Sequence, residues 1–198
     1  MMNQEPHIPR PLQLESDTGS ALPCSPSPGK SQAEQKRTGP SIERVEGNLL
    51  DQKVDAIVNA WNRNLIPYWL LVTQGVSRAI KRAAGTEPFQ ELRTFGVLPL
   101  GASRLTGAGE LSDQFKGIIH SAGINHAWRS SEDSVRECVR TALRIAEQQG
   151  FESVAFPAIG AGSSGIWGIS EKRSLEIIED QARRSSFSGK VVLVKFRR

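Results

Sequence analysis

Beyond residue 40 the chain alternates short apolar runs with longer stretches of helical period. Ser41–Glu46 (S-I-E-R-V-E) alternates apolar and polar positions, the two-residue repeat of a strand with one buried face. Ala56–Asn59 is apolar up to its last residue and predicts a strand buried on both faces. Gly75–Ala84 places Val76, Ile80 and Ala83 on one helical face, with Gly85 as a natural stop. Pro88–Phe95 predicts a short helix; Ala102–Thr106 and Gly117–Ala122 predict strands. Ser130 then opens a long helix, with Asp133 three residues on, close to a capping box. Its buried face is expected to hold Val135, Val139, Ala142 and Ala146, and Gly150 ends it. Ser153–Ala158 predicts a strand, Ser170–Arg183 a helix and Lys190–Phe196 a last strand. Strands alternating with helices imply a sheet covered on both faces. The expected fold is α/β: a three-layer α/β/α sandwich with a mixed, largely parallel central sheet.

Composition separates the amino-terminal segment from this pattern. Residues 1–40 hold most of the chain's 11 prolines, many Ser, Gln and Gly, and almost no apolar cluster. Such a stretch cannot bury enough apolar surface to offset its ordering entropy. It is read as a disordered tail, ahead of one folded domain at 41–198. No apolar run approaches the roughly 20 residues of a membrane span, and the tail lacks the apolar core of a secretory signal. A soluble, intracellular and cytoplasmic protein without a membrane partner is the expectation.

In the tail, Arg10, Lys30, Lys36 and Arg37 cancel Glu5, Glu15, Asp17 and Glu34, so the net charge of +4 belongs to the domain. Much of it gathers at Lys172, Arg173, Arg183, Arg184, Lys190, Lys195, Arg197 and Arg198. A basic surface suits anionic partners, but without interleaved aromatics a solvated face is favoured over a nucleic-acid patch. Cys24 lies in the tail and Cys138 on an apolar helix face, which offers neither a disulfide framework nor a thiolate metal site. His7, His120 and His126 lack metal-ligand spacing, and no metal is expected.

Two segments carry candidate chemistry. In D-A-I-V-N-A-W-N-R-N (Asp55–Asn64) a buried strand gives way to asparagines. In open α/β sheets ligands bind beyond the carboxyl ends of strands, so Asn59 and Asn62 either project into a crevice or satisfy a turn. The second segment is F-P-A-I-G-A-G-S-S-G-I-W-G, Phe156–Gly168. Gly160, Gly162 and Gly165 fit G-x-G-x-x-G, yet the motif comes late and Glu179 and Asp180 fall inside a helix, against a dinucleotide fold. What remains is a loop whose backbone N–H groups can converge on a phosphate, with a flexible turn as the alternative. Together these segments point to a ligand with phosphates and ribose-like hydroxyls. Trp61, Trp69, Trp128 and Trp167 lie in or beside the presumed loops, where packing outweighs stacking as their expected role.

The chain resembles a macro domain, an ADP-ribose-binding module, through five segments in order. These are E-G-N-L-L (Glu46–Leu50), V-D-A-I-V-N-A-W-N (Val54–Asn62), G-V-S-R-A-I-K-R-A-A-G (Gly75–Gly85), I-I-H-S-A-G (Ile118–Gly123) and S-V-A-F-P-A-I-G-A-G (Ser153–Gly162). The resemblance implies that Asn48 and Leu49 read adenine, with Asn48 where the family usually carries Asp. It implies that Asn62 orients the distal ribose while Asn59 supports the loop. The backbone of Gly75 and Val76, and of Gly160, Ala161, Gly162, Ser163, Ser164 and Gly165, would hold the diphosphate, with Ser164 or Trp167 at the distal ribose. His120 is expected to be a satisfied core histidine.

The same resemblance exposes a departure. Ser77 stands where hydrolytic members carry the aspartate of G-G-G-V-D, and serine cannot act as a carboxylate base. Glu110 and Glu132 are the loop acids considered as substitutes. The implied activity is binding of ADP-ribose with hydrolysis of ADP-ribosyl or O-acetyl-ADP-ribose linkages by water, the Ile66–Thr73 insert forming a lid. The rivals are a non-catalytic reader of ADP-ribosylated macromolecules and, behind both, a nucleic-acid module. No cofactor is expected besides ADP-ribose as ligand or substrate moiety.

Overall fold

A computed structural model describes residues 39–62, 75–125, 129–161 and 169–196, with Asn62 described in its backbone only. They belong to the contact unit Lys36–Arg198. The elements are β1 (Ser41–Gly47), β2 (Ala56–Asn62), α1 (Gly75–Ala84), α2 (Glu87–Thr94), β3 (Ser103–Thr106), β4 (Gly117–Ile124), α3 (Glu132–Gln148), β5 (Ser153–Pro157), α4 (Glu171–Arg183) and β6 (Lys190–Phe196). Single 3-10 turns cover Leu49–Asp51 and Gly109–Leu111.

The six strands form one sheet in the order β1-β6-β5-β2-β4-β3. Every neighbouring pair is parallel except β3–β4 at the edge. Each face carries its own apolar layer. Val58, Ile119, Phe156 and Leu193 pack with α3 and α4, while Ile57, Ile118, Ala155 and Val192 pack with Ile80 of α1 and Phe89 of α2. This is the expected three-layer α/β/α sandwich. Central strands buried on both faces read as apolar runs for that reason.

Three differences from the sequence reading bear on the site. β2 continues through Asn62, because its pairing with β4 carries on through Asn59 opposite His120. Asn59 is therefore inside the strand, not beyond its end. Helix α3 is capped by Ser131, one residue later than expected: Ser131 Oγ accepts from Ser134 N–H and Ser134 Oγ accepts from Ser131 N–H. In α1 the most buried positions are Ser77, Ile80 and Ala84, with Val76 and Ala83 only flanking them.

Candidate functional site

Parallel pairing puts the carboxyl ends of β1, β6, β5, β2 and β4 along one rim of the sheet. Asn48 directly follows β1, Gly160 lies three residues past the end of β5, and Asn62 ends β2. Three strand intervals of about 4.8 Å separate β1 from β2, so these positions span roughly 14 Å of rim. The register slips between Trp61 and Asn62.

Asn48 has a local role already. It caps the 3-10 turn, its Oδ1 accepting from Leu50 N–H at 3.2 Å and its Nδ2 donating to Asp51 Oδ1 at 3.3 Å. An amide satisfies both contacts, whereas a carboxylate would face Asp51 with like charge. The Leu49 side chain is buried in the core and can meet a ligand only through its backbone.

Below the rim lies a polar chain within the apolar layer. Thr106 Oγ1 donates to Gly107 O, so it must accept from His120 Nε2–H at 3.0 Å. That leaves His120 Nδ1 bare to accept from Asn59 Nδ2 at 3.0 Å. The chain of contacts fixes both the histidine tautomer and the orientation of the asparagine amide. Complete burial pushes the His120 pKa down to about 3, keeping the ring neutral. Trp61 and Phe89 meet this ring edge-on, at 6.1 and 5.3 Å between centroids. The expectation that His120 is a core histidine holds in its environment, and Trp61 packs within the fold.

Asn59 then turns Oδ1 away from the histidine. That oxygen and Ser77 Oγ are the buried side-chain atoms lacking a hydrogen-bond partner among the described residues. Asn59 shares its sheet face with Ile57, the face covered by α1, and Ser77 (8 % exposed) lies in the first turn of α1. An acceptor and a donor are thus unspent in one helix–sheet layer. Gly75 opens this helix at φ +60°, a conformation that suits glycine, and Val76 is partly buried beside it. The first-turn N–H groups and the helix dipole favour an anion at this end.

The second loop begins at Gly160, also left-handed at φ +77°. A side chain there would meet Ser130 at 2.7 Å. Ser130 is a residue whose role sequence reasoning missed. Its Oγ donates to Gly160 O at 2.9 Å and accepts from Ile169 N–H at 3.3 Å, holding the two ends of the 160–169 segment together. Ala161 N–H turns back to Ala158 O. Gly162, Ser163, Ser164, Gly165 and Trp167 lie outside the described residues, as do Trp69, Trp128, the Ile66–Thr73 insert and residues 1–38 of the tail.

Of the candidate acids one is already paired and the other lies at the far end of α1. Glu132 is the first residue of α3, where hydrogen bonds from Arg173, with Arg136 adding to them, hold its carboxyl below the usual range. Glu110 lies beside Gly85, past the carboxyl end of α1, some 15 Å of helix from Gly75. Burial pushes the Cys138 thiol up to about 12, which makes it inert. Among the described residues no His, Cys, Asp and Glu cluster could hold a metal, and no helix is long and apolar enough to cross a membrane.

A family profile described as the macro domain matches residues 58–178. The chain belongs to the macro domain family. A protein named O-acetyl-ADP-ribose deacetylase from Enterobacter cloacae is 34 % identical over 151 residues, covering 73 % of this chain and 78 % of that protein. The solved macrodomain of Oceanobacillus iheyensis with ADP superposes with a TM-score of 0.66 at 26 % identity, covering 81 % of this chain and 86 % of the other. The Trypanosoma brucei macrodomain in complex with ADP-ribose gives a TM-score of 0.63 at 26 % identity, over 77 % and 63 % of the two chains. The macro domain fold and the sandwich derived above are the same architecture.

Proposed function

We propose that the carboxyl rim of the sheet binds ADP-ribose and that the domain hydrolyses ADP-ribosyl or O-acetyl-ADP-ribose linkages, with water as the nucleophile. The observation that carries this reading is the gathering of Asn48, Gly160 and Asn62 along one rim. Relatives bound to ADP-ribose and ADP, and one named a deacetylase, support it. Asn48 and the Leu49 backbone meet the adenine. The backbone at Gly75 and Val76, and that of the loop from Gly160 to Gly165, carries the diphosphate. Asn62 orients the distal ribose, with Trp167 or Ser164 beside it.

Ser77 has no carboxylate to take a proton from water, and Glu132 is committed to Arg173. Water is therefore placed by Asn62 and deprotonated with help from the substrate's own phosphate oxygens. The same two facts favour a second reading, a reader that binds ADP-ribosylated macromolecules without cleaving them. Incubation of the full chain with an ADP-ribosylated protein and with O-acetyl-ADP-ribose separates the two. Product in several-fold excess over protein supports hydrolysis; tight binding with less than one turnover leaves the reader.

A further inference from the structure

We propose that the surface formed by Phe95, Val97 and Leu100 with Arg104, Arg140 and Arg144 docks the polypeptide that carries the ADP-ribosyl group, and selects acidic chains with apolar side chains. The inference rests on the reading that the rim binds ADP-ribose, and adds to it a surface that reads the macromolecule attached.

The segment between α2 and β3 concentrates exposed apolar surface. Phe95, Val97 and Leu100 are 45 %, 48 % and 37 % exposed. Among the described residues Phe196 is the other large hydrophobic so exposed. A single inward residue, Leu98, anchors the segment against Leu92, Ala122 and Trp61. Gly101 N–H bonds Ala122 O and Ala122 N–H bonds Ala102 O, both at 2.9 Å, stitching the segment to the carboxyl end of β4. Trp61 is the residue before Asn62, so this patch borders the end of the rim assigned to the distal ribose. A chain attached through that ribose leaves the cleft beside it.

The patch continues into a groove of about 480 Å³ between β3 and α3, lined by Leu100, Arg104, Arg140 and Arg144 among others. Its charge is unbalanced. Glu137 is the groove's one carboxylate and is already paired with Arg140. Arg104 and Arg144 form no ion pair among the described residues; Arg104 lies over the Phe95 ring, 5.7 Å from its centroid. In contrast, Arg44, Arg136, Arg173, Arg183 and Arg184 each hold a carboxylate. Beside the groove, β3 is the last strand of the sheet among the described residues, and a terminal strand is the template on which an extended segment adds. Apolar contacts, three arginines against one carboxylate and a terminal strand converge on one occupant: an extended, acidic polypeptide. A single exposed ring offers no ladder for successive bases, which disfavours nucleic acid.

The test uses the full chain, free ADP-ribose and two synthetic peptides ADP-ribosylated at one central residue. One peptide is flanked by Glu, Asp, Leu and Val, the other by Lys and Gly. The wild type is expected to bind the acidic peptide on the order of ten-fold more tightly, the worth of two exposed charge pairs, with the difference shrinking at high salt. Arg104→Glu with Arg144→Glu, and separately Val97→Ser with Leu100→Ser, should abolish the preference while leaving affinity for free ADP-ribose unchanged. Equal affinity of the wild type for both peptides, or loss of preference only together with ADP-ribose affinity, overturns the proposal. If free ADP-ribose does not bind, the reading of the rim fails. The surface is then judged with the unmodified acidic peptide by amide chemical shifts: shifts confined to 95–104 and α3 uphold it, whereas none, or displacement by an oligonucleotide, overturns it.

Discussion

A carboxamide between Val58 and Ala60, inside a strand buried on both faces, is stabilised by one ring nitrogen. Asn59 donates to His120, and His120 in turn to Thr106. The arrangement requires a neutral imidazole, since a proton on Nδ1 would face the Asn59 N–H group. Because burial lowers the folded-state pKa to about 3, the unfolded chain takes up a proton near pH 6.5 while the folded one does not. The histidine's contribution is therefore fully present above pH 6.5 and lost as pH falls towards 3, by up to about 1.4 kcal/mol per pH unit. Denaturant unfolding between pH 7 and 5, above the carboxylate range, should show this slope in the wild type and a shallower one in His120→Gln. Equal slopes would contradict the account. At this scale the sequence was partly legible. I-I-H-S-A-G marked His120 as a core residue, but nothing local paired it with Asn59, 61 positions away.

Helix α3 begins with adjacent serines that do different work. Ser131 completes the capping box, and Ser130 ties Gly160 to Ile169. Periodicity located the helix and its buried face correctly because both follow from local spacing. It could not assign the two serines, since the choice depends on a loop 30 residues further on. Ser130→Ala removes one donor and one acceptor at the loop's ends while leaving the cap intact. The expected result is ADP-ribose binding weakened about five- to ten-fold, from the loss of about one net hydrogen bond's worth of loop order, with a melting temperature shifted by only a few degrees. Unchanged affinity would show that the ends of this loop need no tether.

Across the whole domain, the layered architecture was legible because alternating strand and helix patterns leave few topologies. The sheet order and the fate of the charge were not. Part of the basic carboxyl-terminal cluster is compensated by acids from elsewhere in the chain: Lys190 by Glu43, Lys195 by Glu46, and Arg173 by Glu132. Those pairings depend on β1 lying beside β6 and α3 beside α4, which no local pattern encodes. The same topology aligns Asn48, Gly160 and Asn62, and that alignment underlies the proposed binding of ADP-ribose. Calorimetric titration of the full chain with ADP-ribose, repeated on Asn62→Ala, tests it most directly. A one-to-one isotherm for the wild type, weakened at least about ten-fold in the variant, is the predicted result. No heat at millimolar nucleotide, or identical isotherms for the two proteins, would contradict it.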